Sequence, residues 1–93
     1  MALKETQSIR AQLSFIGELE IYSRKSKMDY SKIMIDLITH DDQKIFGEVR
    51  NSKIPLIQAF KKGDIVDVEY IFAGSEKNGK KYNNLIVVNL ERI

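Results

Sequence analysis

Two short segments hold the residues best suited to chemistry. In "YSRKSKMDY", residues 22–30, Arg24, Lys25 and Lys27 stand against Asp29. In "AGSEKNGKKYNNLIVVNL", residues 73–90, Lys77, Lys80 and Lys81 stand against Glu76. Each segment nets +2 while the whole 93-residue chain carries only +2, so everything else nets −2. Aromatic residues bracket both segments, Tyr22 and Tyr30 the first, Phe72 and Tyr82 the second. Clustered cations attract a polyanion and displace its counterions, and flat rings offer faces on which planar groups stack. Lysine-rich loops can equally be plain solvated surface, and tyrosines at strand ends often cap a barrel. The elements that position the two segments must therefore decide between these readings.

Other chemistry has little to work with. The chain has no cysteine, which removes disulfides, thiolate nucleophiles and cysteine-based zinc sites and fits a cytoplasmic, reducing setting. His40 is the single histidine, beside Asp41 and Asp42; such a trio could hold a metal weakly, but adjacent aspartates there read as turn formers. No glycine-rich phosphate loop, nucleophile elbow or separated carboxylate pair stands out, so neither catalysis nor a cofactor is expected. The start, "MALKETQSIRAQ", carries Lys4, Glu5 and Arg10 and no apolar core of secretory length. No stretch approaches ~18 uninterrupted apolar residues, so no membrane span is expected.

A hydrophobic fraction of 43% and a charged fraction of 30% describe an ordinary folded protein. A chain of this size buries roughly 60–65% of its unfolded surface, enough for one core. With one proline, five glycines and no repeat, no linker is visible. Residues 1–10 read as a flexible polar tail and residues 11–93 as a single domain.

Strand periodicity begins at "LSFIGELEIY", with Leu13, Phe15, Gly17, Leu19 and Ile21 on one face and Ser14, Glu18 and Glu20 on the other. Gly17 suggests a bend or bulge there. "YSKIMIDLITH" sets Ile33, Ile35 and Leu37 against Lys32, Met34, Asp36 and Ile38, and the turn "HDDQ" leads to a third strand, "KIFGEVR". Between Asn51 and Gly63, Pro55 suits a first helical turn, and Leu56, Ile57 and Phe60 form an apolar stripe. Lys61 and Lys62 suit the helix end, and Gly63 a left-handed cap. "DIVDVEYIF" resumes alternation with Val66, Val68, Tyr70 and Phe72 on one face, and the apolar run in "YNNLIVVNLERI" predicts a last strand buried on both faces.

Five strands with a helix between the third and fourth predict an OB fold, an all-β, five-stranded Greek-key barrel (β-β-β-α-β-β). Such barrels bind oligonucleotides or oligosaccharides on strands two and three and on the loops joining strands one to two and four to five. Those loops are the two basic segments, expected side by side at one groove. Cations with rings then predict sequence-tolerant binding of single-stranded nucleic acid, each stacked base worth ~1–3 kcal/mol. Phe46 lies out of phase with Ile45 and Val49, so it is either core or a stacking platform beside Met34, Lys44 and Arg50; Lys32 shares the face of Met34.

The stretch "KIFGEVRNSKIPLIQAFKKGDIVDVEYIFAGSEKNGKKYNNLIVVNLERI" resembles the second half of single-stranded DNA-binding proteins of the bacterial and phage type. The likeness lies in an aromatic-glycine pair on the third strand, a helix, a lysine-glycine turn, a basic hairpin tip and a closing strand. It implies a non-enzymatic protein that coats single-stranded DNA as a homo-oligomer, dimer or tetramer, beside replication or recombination proteins. Phe46 would stack bases, and Lys77, Lys80 and Lys81 would follow the backbone. The chain lacks the tryptophans such proteins often stack with and shows no acidic tail after "NLERI". That leads us to expect a phage, mobile-element or accessory setting. RNA would use the same stacking and charge. The rival reading is a protein-interaction adaptor using the outer apolar positions Ile16, Met34, Ile38 and Ile71; it would not need the basic loops.

Overall fold

The computed structural model describes residues 6–23 and 30–93, apart from the Lys77 side chain. In chain order the elements are β1 (Gln7–Ile16), β2 (Glu20–Tyr22), β3 (Tyr30–Ile38), β4 (Lys44–Arg50), a 3₁₀ turn (Asn51–Lys53), α1 (Ile54–Gln58), β5 (Ile65–Lys77) and β6 (Lys80–Arg92). Strands β1, β5, β6, β4 and β3 follow one another in the sheet, and β1 also pairs with β3, which closes the ring. Every pairing is antiparallel except β4 with β6. The short β2 pairs with Tyr30–Lys32 on the same edge of β3 as β1, beyond the point where β1 ends.

The inward side chains are those that alternation selects. Ile33, Ile35 and Leu37 of β3, Val66 and Val68 of β5, and Leu85 and Val87 of β6 are buried in one cluster with Leu13 and Val49. Fully burying each such side chain contributes about 1.5–3 kcal/mol. Helix α1 is little more than one turn, with Pro55 in its first turn, and it pushes Ile54 and Ile57 into the same core. Leu56 and Phe60 pack against that core from outside. Gly47 on β4 allows the parallel neighbour to close in, since a Cβ there would meet Leu85 Cδ2 at 3.0 Å.

Several sequence expectations need correction. Strand β1 starts at Gln7, inside the segment expected to be a tail, because residues Gln7–Gln12 pair with β5. The long first strand is interrupted at residues 17–19 near Gly17, whose N–H donates to the Met34 carbonyl at 2.8 Å. Strand β6 is buried on one face: Leu85, Val87 and Leu90 point inward while Ile86 and Val88 are half-buried. A bulge at Val88 makes this possible, since Glu69 pairs with Asn89 but Tyr70 with Val87. Gly63 does not cap the helix, which ends at Gln58; it has φ +100° in the turn before β5 and donates to the Leu13 carbonyl at 2.7 Å.

Candidate nucleic-acid interface

Residues paired across a sheet share a face, so strand register determines what the barrel shows to solvent. On β3 and β4 the outward pairs are Lys32 with Arg50, Met34 with Glu48, Asp36 with Phe46 and Ile38 with Lys44. Phe46 is thus outside the core, 60% exposed. On β1 a bulge at Ser14 makes Leu13 pair with Leu37 but Phe15 with Asp36. The extra residue turns Phe15 away from Leu13 and onto the outer face, where it is 50% exposed. Phe15, Asp36 and Phe46 therefore form one row across β1, β3 and β4, with the two rings two strand spacings, about 10 Å, apart.

At one end of this face lies a compact polar cluster. Tyr22 and Tyr30 face each other across β2 and β3 with ring centroids 5.9 Å apart. Lys32 Nζ sits 5.4 Å from the Tyr22 ring centroid, and the Arg50 guanidinium 5.4 Å from that of Tyr30. Beneath them Glu48, buried on this face, accepts from Arg50 Nη2 at 3.2 Å and lies 3.6 Å from Lys32 Nζ. The Tyr30 hydroxyl also reaches Glu48, at 3.5 Å. The Tyr22 hydroxyl donates to Glu20 at 2.7 Å, and that hydrogen bond is the main cause holding its pKa above the ordinary phenol value.

From the other end rises a two-stranded ribbon. Strands β5 and β6 stay paired out to Lys77 and Lys80 and are joined by Asn78-Gly79, both at positive φ (54° and 77°). The expected loop is thus a tight hairpin, and Asn-Gly is the signal that marks such a turn. Tyr82 pairs with Ser75 and lies on the same ribbon face as Lys80, while Lys81 pairs with Glu76 on the opposite face. Because β6 runs parallel to β4 with Gly47 opposite Leu85, the tip of the ribbon projects past the start of β4.

Consequently the tyrosine pair that flanks the first basic segment and the ribbon that carries the second do not stand side by side, as the sequence led us to expect. Tyr22 and Tyr30 lie at the Arg50 end of β4 and the ribbon at the Lys44 end, separated by six residues of strand, about 20 Å. They bound the face from opposite ends. Arg24, Lys25 and Lys27 lie outside the described residues, as does the Lys77 side chain.

No protein-family model matches this sequence, and no curated protein matches it. Among solved structures, the second OB-fold domain of replication protein A from Methanococcus maripaludis superimposes with a TM-score of 0.70 at 20% identity, over 97% of this chain and 85% of that one. The chain has the OB fold. A mitochondrial single-stranded DNA-binding protein from S. cerevisiae shares it at a TM-score of 0.66 and 17% identity, over 97% of this chain and 96% of that one. So does a small single-stranded DNA-binding protein from Streptomyces coelicolor, at 0.56 and 7%, over 99% and 96%.

On this OB barrel, Tyr22, Tyr30, Lys32 and Arg50 come together at one end of the outer face, with Met34 in the next row. Phe46 and Lys44 follow along β4, and Tyr82 and Lys80 belong to the ribbon. Sequence reasoning missed Phe15 and Glu48. Phe15 was placed inward because plain alternation does not foresee the bulge, although a Gly two residues later hinted at irregularity. Ile16 was expected on the outside, but it pairs with Ile35 and packs against the core. The OB barrel's β3–β4 turn has an internal role: the Thr39 hydroxyl hydrogen-bonds Asp41, which lowers the pKa of that carboxyl. Among the described residues no group of three or more His, Cys, Asp or Glu is placed to hold a metal, and no helix is long and apolar enough to cross a membrane.

Proposed function

We propose that this chain binds single-stranded DNA with little sequence preference and without catalysis, in replication, recombination or repair within the cytoplasm. The observation that carries the reading is the row Phe15–Asp36–Phe46, which leaves two large rings on the outer face with no core to bury them. Large rings exposed together on a sheet mark an interaction surface, and every base has a face that can stack on them. Lys44 on β4 and Lys80 on the ribbon, at one end of this face, can follow a phosphate backbone toward the rings. The similar structures support the reading, since two are single-stranded DNA-binding proteins and one is a domain of replication protein A.

The test is a fluorescence-anisotropy titration of a labelled ~30-nucleotide poly-dT strand, with duplex as competitor, at low and near-physiological salt. Binding that falls with salt and ignores duplex supports the reading; absence of binding at low salt ends it. We attach to the same reading a homo-oligomer, dimer or tetramer. In its support, the short edge strand β2 leaves Ile21 63% exposed. Light-scattering mass, with and without DNA, checks it.

A further inference from the structure

Glu48 is the only charged residue among the described ones to be buried, at 5% exposure, yet it belongs to the outer face rather than the core. Withdrawing a carboxylate from water is costly unless cations and donors surround it. Here they do: Arg50 Nη2 at 3.2 Å, Lys32 Nζ at 3.6 Å and the Tyr30 hydroxyl at 3.5 Å. Both cations are drawn down onto tyrosine rings, and Arg50 Nε is buried without a hydrogen-bond acceptor. Glu20 faces Lys32 across β2 and β3, so among the described residues two acids and two bases share this end of the face. The sequence, read as a line, shows Lys32 and Arg50 as free cations for a phosphate backbone. The fold shows them already matched.

We infer that Glu48 is a built-in counter-ion of the binding face. It holds Lys32 and Arg50 in place of strand phosphates, keeps them flat against Tyr22 and Tyr30, and thereby limits both the affinity and the salt dependence of binding at this end. The inference rests on the proposed single-strand binding. A phosphate arriving here meets two cations, one of whose charges Glu48 already cancels, so they release fewer counterions than two free cations would. Stacking on Phe15 and Phe46 and charge on the ribbon carry the remainder. Glu48 is a positioning residue that sets specificity between rings and charge; it need not touch DNA.

The test compares the wild-type chain with Glu48→Gln, which keeps the shape and removes the charge, using the same labelled poly-dT strand over a range of salt. Glu48→Gln should bind roughly three- to tenfold tighter at low salt, the effect of one partly solvated charge. Its log–log salt slope should steepen by about 0.7, the value for one phosphate of a single strand. The double variant Glu48→Gln with Arg50→Gln, in which the two charges leave together, should return to the wild-type slope. Glu69→Gln, which removes an acid from β5 opposite Ser8 and Asn89, should change neither quantity. Unchanged or weaker binding by Glu48→Gln, with the wild-type circular dichroism retained, overturns the inference. Equal tightening by Glu69→Gln overturns it too, because the effect would then come from net charge alone. If Glu48→Gln fails to fold, the double variant decides: a shallower slope than wild type shows Arg50 engaging phosphate directly and rejects the counter-ion role. Failure of the wild-type chain itself to bind removes the proposed function, and this inference with it, and is read before any variant is made.

Discussion

Lys80 and Lys81 are consecutive in sequence yet face opposite sides of the β5–β6 ribbon, Lys80 paired with Lys77 and Lys81 with Glu76. Lys80 shares its face with Tyr82, and through Ile86, which pairs with Glu48, that face runs into the outer surface of β4. Lys81 looks the other way, across from an acid. Single substitutions should therefore separate: Lys80→Ala should weaken poly-dT binding and flatten the salt slope by about 0.7, while Lys81→Ala changes both much less. Equal losses from the two variants would show that the strand passes around the tip of the ribbon and does not follow one face.

Phe15 and Phe46 should act through stacking. Replacing either with alanine should cost about 1–3 kcal/mol of binding with the salt slope kept, and should leave thermal stability within ~0.5 kcal/mol of wild type because both rings are exposed. If the two rings hold neighbouring bases of one strand, a double-mutant cycle should show coupling between them. Anisotropy for binding and urea unfolding for stability measure both halves of this prediction.

Gly17 lies against the backbone of β3. A Cβ at this position would lie 3.0 Å from the Met34 carbonyl oxygen, a backbone atom already accepting the Gly17 N–H. At Gly47 the same distance, 3.0 Å, is to the end of the Leu85 side chain, which can turn aside. Gly17→Ala should destabilise the fold by about 1–3 kcal/mol and Gly47→Ala by less. The urea midpoints of the two variants should rank in that order.

Arg10 and Asp67 join β1 to β5 through a hydrogen bond of 2.9 Å. That bond, and the guanidinium charge, depress the Asp67 pKa below its ordinary 3.8. A carboxylate with a depressed folded pKa stabilises the fold above its unfolded pKa, and the contribution is lost as pH falls through the folded value. Asp67→Asn should therefore be less stable than wild type at pH 7, and the gap should close below the ordinary carboxylate range. The pair is exposed, so the gap is small, and thermal melts at pH 7 and in strong acid measure it.

Much of the architecture was legible in the linear pattern. Ile33, Ile35 and Leu37 alternate against Lys32, Met34 and Asp36, and a strand that alternates so cleanly has one way to bury its apolar set. Pro55 and the stripe around Ile57 marked the helix, though its end at Gln58 is shorter than the residues to Gly63 suggested. Phe46 was readable as out of phase with Ile45 and Val49, and it does face outward.

By itself, then, the sequence determined the number and order of the main strands, the place of the helix, and the inward set of β3 with Val66 and Val68 of β5, because these depend on local conformational preference and on period-two burial. Tertiary structure alone decided which way Phe15 points, that Glu48 lies buried under Lys32 and Arg50, and that the Tyr22–Tyr30 pair and the ribbon bound the face from opposite ends. Each of those depends on the register between strands. A single extra residue, at Ser14 or at Val88, reverses the facing of everything after it until the partner strand resets the pairing.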